Sequence, residues 1–250
     1  MYVYGQYCPV ARAAEILADR WTLLIVRELL VDVRHFNELE RGLPRMSRTL
    51  LAERLRRLED AGVLQRSEAS RGKRAEYRLT TAGRELKPII DAFCQWGARW
   101  AFGPPRANEL DPLVLLWWMR RRVRFDQLPR RRLVIQFDFR GGPRRTYWLL
   151  IKATEASICL KHPGFDVDMI VTADIGAIYQ VWLGRVLLEE AIRRQEIRLD
   201  GMPSDVHTFP LWFGRSGMAE TVRAALADPE RAAGRAGVRR RSANTRGVLV

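Results

Sequence analysis

Apolar residues recur at helical spacing through the first hundred positions and at alternating spacing through much of the remainder of the chain. Residues 12–18 and 21–30 put Ile16 and Leu17, then Leu23, Leu24, Val26, Leu29 and Leu30, on one face of each of two helices, with Asp19 and Arg20 between them. Residues 35–39 predict a short third helix and Gly42, Leu43 and Pro44 a turn. Ser47 predicts an N-cap, its hydroxyl available to a first-turn N–H. The helix it starts buries the stripe Leu51, Leu55 and Leu58 and ends at Gly62, which adopts the left-handed conformation without strain. Residues 63–67 and 75–79 alternate around the polar stretch 70–74 and predict a β-hairpin. Thr80 and Thr81 cap a long amphipathic helix that carries Leu86, Ile89, Ile90, Phe93, Trp96 and Trp100.

Beyond Gly103, Pro104 and Pro105 the pattern changes. A helix over residues 112–123 precedes alternating runs at 132–139, 147–152, 157–160 and 168–171, which predict an antiparallel sheet with its clearest hairpin turn at Gly141, Gly142 and Pro143. Asp174 caps a helix over 175–183, a second helix covers 186–194, residues 197–199 add a strand, and 218–226 form a last helix. The fold class is therefore α+β. Residues 1–103 form a helical unit with one hairpin, 104–109 a linker, 110–228 a sheet-and-helix domain and 229–250 a basic disordered tail.

The net charge of +14 adds a partner to this picture, because a basic surface gathers polyanions by releasing their counterions. The three segments 1–105, 106–228 and 229–250 carry +5, +4 and +5, so the tail is basic out of proportion to its length. A genome rich in G and C, which favours Arg codons, would give the same total without any polyanion. No apolar run reaches the roughly 18 residues of a membrane span, and the N-terminus lacks the basic and apolar regions of a secretory signal; a cytoplasmic protein is expected. Three widely spaced cysteines, Cys8, Cys94 and Cys159, fit neither a disulfide framework nor a zinc site. His35, His162 and His207 lack metal-ligand spacing, and no phosphate loop or nucleophile elbow occurs, so neither an enzyme nor a bound cofactor is expected.

The order of three helices, a capped helix, a hairpin and a further helix outlines a winged helix-turn-helix, whose recognition helix lies in the major groove of duplex DNA. With the leucine stripe buried, about 100° per residue turns Thr49, Ala52, Glu53 and Arg56 outward, with Ser47 and Arg48 at the N-terminal tip. Arg can pair bidentately with guanine, and Thr or Ala can touch a thymine methyl. An ordinary amphipathic helix with a solvated face reads equally well on this segment alone. Arg71, Lys73 and Arg74, clustered with Gly72 on the hairpin tip, favour the DNA reading because they suit phosphate or minor-groove contact.

The chain resembles the HxlR family of transcription regulators over about residues 5–103. The resemblance is carried by Cys8-Pro9-Val10, by Trp21-Thr22-Leu23-Leu24-Ile25 with Arg27-Glu28-Leu29, and by Arg34-His35-Phe36-Asn37-Glu38-Leu39. It continues through Met46-Ser47-Arg48-Thr49-Leu50-Leu51 with Arg54-Leu55 and Leu58-Glu59, and through Glu76-Tyr77-Arg78-Leu79-Thr80 with Gly83. It implies a homodimer joined through its first and last helices on a near-palindromic operator. Cys8 matches a position at which some members carry an oxidant-sensing thiol; a small residue packed at the dimer interface is the more frequent role. Residues 110–228 resemble a sterol-carrier-protein type-two domain, through Leu133-Val134-Ile135-Gln136-Phe137-Asp138, Tyr147-Trp148-Leu149, Asp168-Met169-Ile170-Val171-Thr172-Ala173-Asp174 and Arg198-Leu199-Asp200-Gly201. That likeness implies an apolar cavity. Trp117, Trp118, Trp148, Tyr179, Trp182, Trp212 and Phe213 are the candidates to line it, for a small apolar ligand, or else they are simply core. The rival to a DNA-binding regulator is a hydrophobic-ligand carrier whose first unit only dimerises, although such a carrier needs no cations on a hairpin tip.

Overall fold

The structure, a computed structural model, describes residues 3–67, 74–141 and 146–228. Arg71 and Lys73 of the expected wing tip, Gly142 and Pro143 of the expected turn, and the 229–250 tail lie outside the described residues. The chain divides into two compact units, Met1–Phe93 and Cys94–Val250.

The first unit has helices α1 (Pro9–Leu17), α2 (Thr22–Leu30), α3 (Phe36–Gly42) and α4 (Arg48–Asp60), then strands β1 (Leu64–Arg66) and β2 (Tyr77–Leu79) and the short helix α5 (Thr81–Arg84). Ser47 Oγ accepts from Leu50 N at 3.2 Å, the N-cap expected of it. Leu51, Leu55 and Leu58 are buried against Ile25, Val26, Leu39 and Leu64, so the predicted stripe is the seam of the core. Gly62 ends α4 at φ +69°. The hairpin pairs antiparallel with Leu64 opposite Leu79. Gly42, expected in a turn, is instead the last residue of α3.

The expected long helix after Thr80 is broken. Thr80 caps only α5, and α6 (Lys87–Trp96) starts anew before a π-helical turn at Gly97–Ala101. Pro88 explains the break: it has no N–H for a bond to the preceding turn, yet its fixed φ suits the start of a helix. The π turn belongs to the second unit, where Ala98 and Phe102 pack on Val222 and Ala225 and Arg99 pairs with Asp228 at 2.8 Å.

The second unit holds α7 (Pro112–Arg120), strands β3 (Leu133–Arg140), β4 (Thr146–Lys152), β5 (Glu155–Cys159) and β6 (Met169–Asp174), helices α8 (Ile175–Trp182) and α9 (Leu188–Arg193), strand β7 (Ile197–Gly201), and helices α10 (Pro203–Trp212) and α11 (Ala219–Ala227). Asp111 caps α7 and Asp174 caps α8. The five strands are ordered β5-β4-β3-β6-β7. The sheet is mixed, not antiparallel as expected, because β6 runs parallel to β3 with Ile135 beside Met169. Alternation reports which residues face the core but not which way a strand runs. α10 was not expected at all: Pro210 inside it and the polar Ser204, Asp205, His207 and Thr208 obscure the helical period.

Two substitutions test how the first unit is held. A Cβ on Gly83 would lie 2.0 Å from the Val63 carbonyl oxygen, a backbone atom that cannot step aside. Gly83→Ala should therefore destabilise the protein by about 1–3 kcal/mol, and Ser47→Ala by about 1 kcal/mol through the lost cap. Urea denaturation followed by far-ultraviolet circular dichroism measures both; wild-type midpoints would refute this account of the packing.

Candidate nucleic-acid interface

With one side of α4 sealed in the core, its other side faces water. Ser47, Arg48, Thr49 and Arg56 are exposed and Ala52 is half-buried. Arg56 makes no hydrogen bond or ion pair among the described residues, so its guanidinium is available to a ligand. Arg48 is held instead: it pairs with Glu40, reaches Asn37 Oδ1 at 3.3 Å and lies 4.9 Å over the Phe36 ring. These contacts with α3 aim Arg48 from the tip of the helix without neutralising it in a buried site.

Glu53 is placed differently from the other candidates on α4. It is half-buried and engaged by Arg57 at 2.7 Å and Arg54 at 3.2 Å. Both arginines also reach Asp19, at 2.8 and 3.5 Å, in the turn between α1 and α2. Glu53 thus belongs to a network that ties α4 to the preceding helices. Both guanidiniums meet the same carboxylate oxygen, Oε1, so the pairing fixes the side chain while Oε2 keeps its acceptor capacity.

The hairpin is anchored beside α3. Tyr77 N donates to the Arg34 carbonyl at 2.8 Å, and His35 Nδ1 donates to the Ala75 carbonyl at 3.3 Å. Thr80 Oγ1 donates to the Gly62 carbonyl at 2.6 Å, closing the base of the hairpin against the end of α4. Glu76 accepts two bonds from Arg78, which hold its carboxyl below the usual range against the opposing effect of desolvation.

Between hairpin, α3 and the tip of α4 lies an open cleft of about 300 Å³, lined by His35, Phe36, Asn37, Arg48, Arg66, Arg74, Ala75 and Tyr77. Arg48 and Arg74, read separately from the sequence, meet here. Arg66, over the Tyr77 ring at 5.9 Å, was missed. Its position at the end of a strand whose Leu64 faces the core was the signal for it. Three guanidiniums around a cleft of this width suit a phosphodiester, since Arg presents a planar fork of donors that matches phosphate oxygens.

The remaining candidates do not form one site. Cys8 is half-buried at the N-cap of α1, and Arg12, one turn on, is directed to Glu15 at 3.2 Å. Tyr179, Trp182 and Trp212 lie in the core of the second unit, and Trp118 and Phe213 pack at its margin. Tyr179 donates to the Asp111 carbonyl at 3.0 Å, and burial raises its phenol pKa. Trp117 is buried with the Arg120 guanidinium 4.0 Å over its ring. Trp148 projects from the opposite face of β4 to Tyr147 and Leu149, where it donates to Gln136 at 3.1 Å and meets the His162 ring edge-on. Among the described residues no cluster of His, Cys, Asp and Glu could hold a metal ion, and no helix is long and apolar enough to cross a membrane.

Comparison with known proteins bears on the same stretch of chain. A family model described as HxlR-like helix-turn-helix matches residues 16–103. An HTH-type transcriptional regulator of Mycobacterium tuberculosis is 44% identical over 100 residues, 38% of this chain and 63% of that protein, so the chain spans less than two thirds of that relative. The HTH-type transcriptional regulator YvaP of Bacillus subtilis is 39% identical over 98 residues, 38% of this chain and 91% of that protein. Among solved structures, the reduced form of the transcriptional regulator YodB from B. subtilis is 28% identical, with 38% of this chain and 96% of that one aligned at a TM-score of 0.34. With YvaP matched over 91% of its length at 39% identity, the chain belongs to the HxlR-like helix-turn-helix family.

Proposed function

We propose that the protein is a cytoplasmic, homodimeric transcription regulator that reads a near-palindromic operator in duplex DNA. The observation that carries this reading is the capped helix α4. Its leucine stripe is buried, and its opposite face presents Thr49, Ala52 and Arg56, the last without an ion pair among the described residues, beside a cleft of three arginines. Thr49, Ala52 and Arg56 read base edges from the major groove, and Ser47 and Arg48 at the tip position the helix on the backbone. Arg66 and Arg74 in the cleft, with Arg71 and Lys73 between them in the sequence, take phosphates, which carry affinity without sequence preference. Glu53 aligns α4 through Oε1 and offers its other oxygen to a base amino group on the same face.

Dimerisation is supported by apolar surface that the described chain leaves uncovered. On α1 and its approach Tyr7 is 104% and Val10 76% exposed, and on α6 Phe93 is 59% and Trp96 63% exposed. No residue of α6 is buried. Ile89, Phe93, Trp96 and Trp100 recur at helical spacing as a stripe too apolar to face water at rest. A second copy that covers both helices gives the two-fold symmetry that a palindromic operator mirrors. Cys8 fits this interface as a small half-buried residue at the start of α1.

The rival reading is a carrier of hydrophobic ligands; its weaker form is control of DNA binding by an apolar ligand in the second unit. Both need room among the aromatics there. Tyr179 and Trp182 are each 7% exposed and Trp212 is 0% exposed, so a ligand would have to displace packed rings. The sheet-and-helix unit is better suited to a rigid support than to a container.

Two measurements test the reading. Arg56→Ala or Thr49→Ala should cost about 1–3 kcal/mol on operator DNA and much less on random duplex; equal losses in a fluorescence-anisotropy titration would remove α4 from the reading face. Phe93→Glu should turn the dimer into a monomer in sedimentation and lower operator affinity at least tenfold. A variant that remains dimeric would place the subunit contact elsewhere.

A further inference from the structure

Residues 120–132 concentrate arginine as no other described stretch does, and the structure sorts these side chains into two groups. Some are used internally. Arg120 stacks on Trp117, Arg131 pairs with Asp168 and Asp205, and Arg132 lies 3.6 Å over the Phe165 ring. Arg122 and Arg124 are exposed and make no ion pair among the described residues. The exposed Asp126, whose carboxyl the Gln127 side chain draws below the usual range, also feels the charge of Arg124.

A second segment brings a third cation to them. Val123 bridges antiparallel to Phe213, Arg124 N donates to the Trp212 carbonyl at 2.8 Å, and Gly214 N donates to the Arg122 carbonyl at 2.7 Å. Alternation along this bridge turns Val123 inward and both flanking arginines outward. Their heads lie against the loop Gly214-Arg215-Ser216-Gly217. A Cβ on Gly217 would come within 2.7 Å of Arg122 Nη2, and one on Gly214 within 3.8 Å of Arg124 Nε. Gly217 thus leaves space that the Arg122 guanidinium occupies, and Arg124 rests in ordinary contact beside Gly214. Arg215, on the same loop, is exposed and also makes no ion pair among the described residues.

We infer that Arg122, Arg124 and Arg215 form a second polyanion-binding surface, on the C-terminal unit, and that it grips the phosphate backbone of duplex DNA outside the base pairs read by α4. The inference rests on the DNA-binding reading above. Two exposed guanidiniums lie against a glycine loop that carries a third exposed arginine, none of the three in an ion pair among the described residues, and a guanidinium fork matches phosphate oxygens. Duplex DNA is the occupant because the first unit of the same chain binds it. Flanking backbone is then tethered nearby at high effective concentration, and even weak phosphate contacts become populated. The surface adds affinity and footprint length but no base preference.

The test uses the full chain, with operator and random duplexes of equal length titrated over a salt series. The triple variant Arg122→Gln, Arg124→Gln, Arg215→Gln removes three cations from each protomer of the dimer and should lower the slope of log K against log salt by up to about five units on both DNAs, near 0.9 per phosphate lost. The ratio of operator to random affinity should not change. The triple lysine variant, which keeps the charge, should keep most of the slope. An unchanged slope in the glutamine variant overturns the inference while a persisting operator preference leaves the α4 reading in place. A lower slope in a protein whose wild type has no operator preference does the reverse. If the glutamine variant keeps its DNA slope but no longer binds phosphatidylserine vesicles that the wild type binds, the surface faces a membrane and the inference fails.

Discussion

Burial of three leucines on one helix decides what the rest of the first unit can do. Leu51, Leu55 and Leu58 are 0–1% exposed. Each fully buried leucine contributes on the order of 1.5–3 kcal/mol against exposure, so α4 cannot rotate about its axis without losing several such terms. That constraint, and not any feature of the outward residues themselves, sets Thr49 and Arg56 facing outward. The Asp19 network with Arg54, Arg57 and Glu53 restrains the same helix from its C-terminal half. Its ion pairs are only partly buried and individually weak; their role is alignment.

The same economy runs through the wing. The hairpin has only three paired residues per strand, too few to be stable alone. It persists because Tyr77 and Leu79 bury into the core, Thr80 bonds the end of α4, and Tyr77 N joins the backbone before α3. α1 and α6, by contrast, carry apolar faces that the described residues leave exposed. A domain of this size buries a modest fraction of its surface, and under the proposed reading a second copy covers these faces, which would make dimerisation and operator symmetry one property seen from two sides.

Much of this was legible in the residues. The cap at Ser47, the αL end at Gly62, the hairpin and the caps at Asp174 and Thr80 come from local chemistry, and the structure has each of them. What escaped is what depends on distant partners. Parallel pairing of β3 with β6 leaves no trace in alternation. α10 was hidden by Pro210, and the break before α6 lay in Pro88, whose effect a purely periodic reading overrides. Glu53 lies on the outward arc of α4 by angle, and its pairs with Arg57 and Arg54, which also reach Asp19 in the turn before α2, depend on partners that no spacing announces. The aromatics of the second unit showed that apolar density alone does not separate a cavity from a core. Trp212 and Trp148 are alike in sequence and lie in different environments.

The central claim is that the outward face of α4, presented twice by a symmetric dimer, selects a sequence in duplex DNA. Its most direct measurement is selection of duplexes from a random pool by the purified full-length protein at physiological salt, with sequencing of the retained fragments. The account predicts enrichment of a two-fold symmetric motif whose half-sites lie about one helical turn apart. Retention of fragments with no common motif would contradict it.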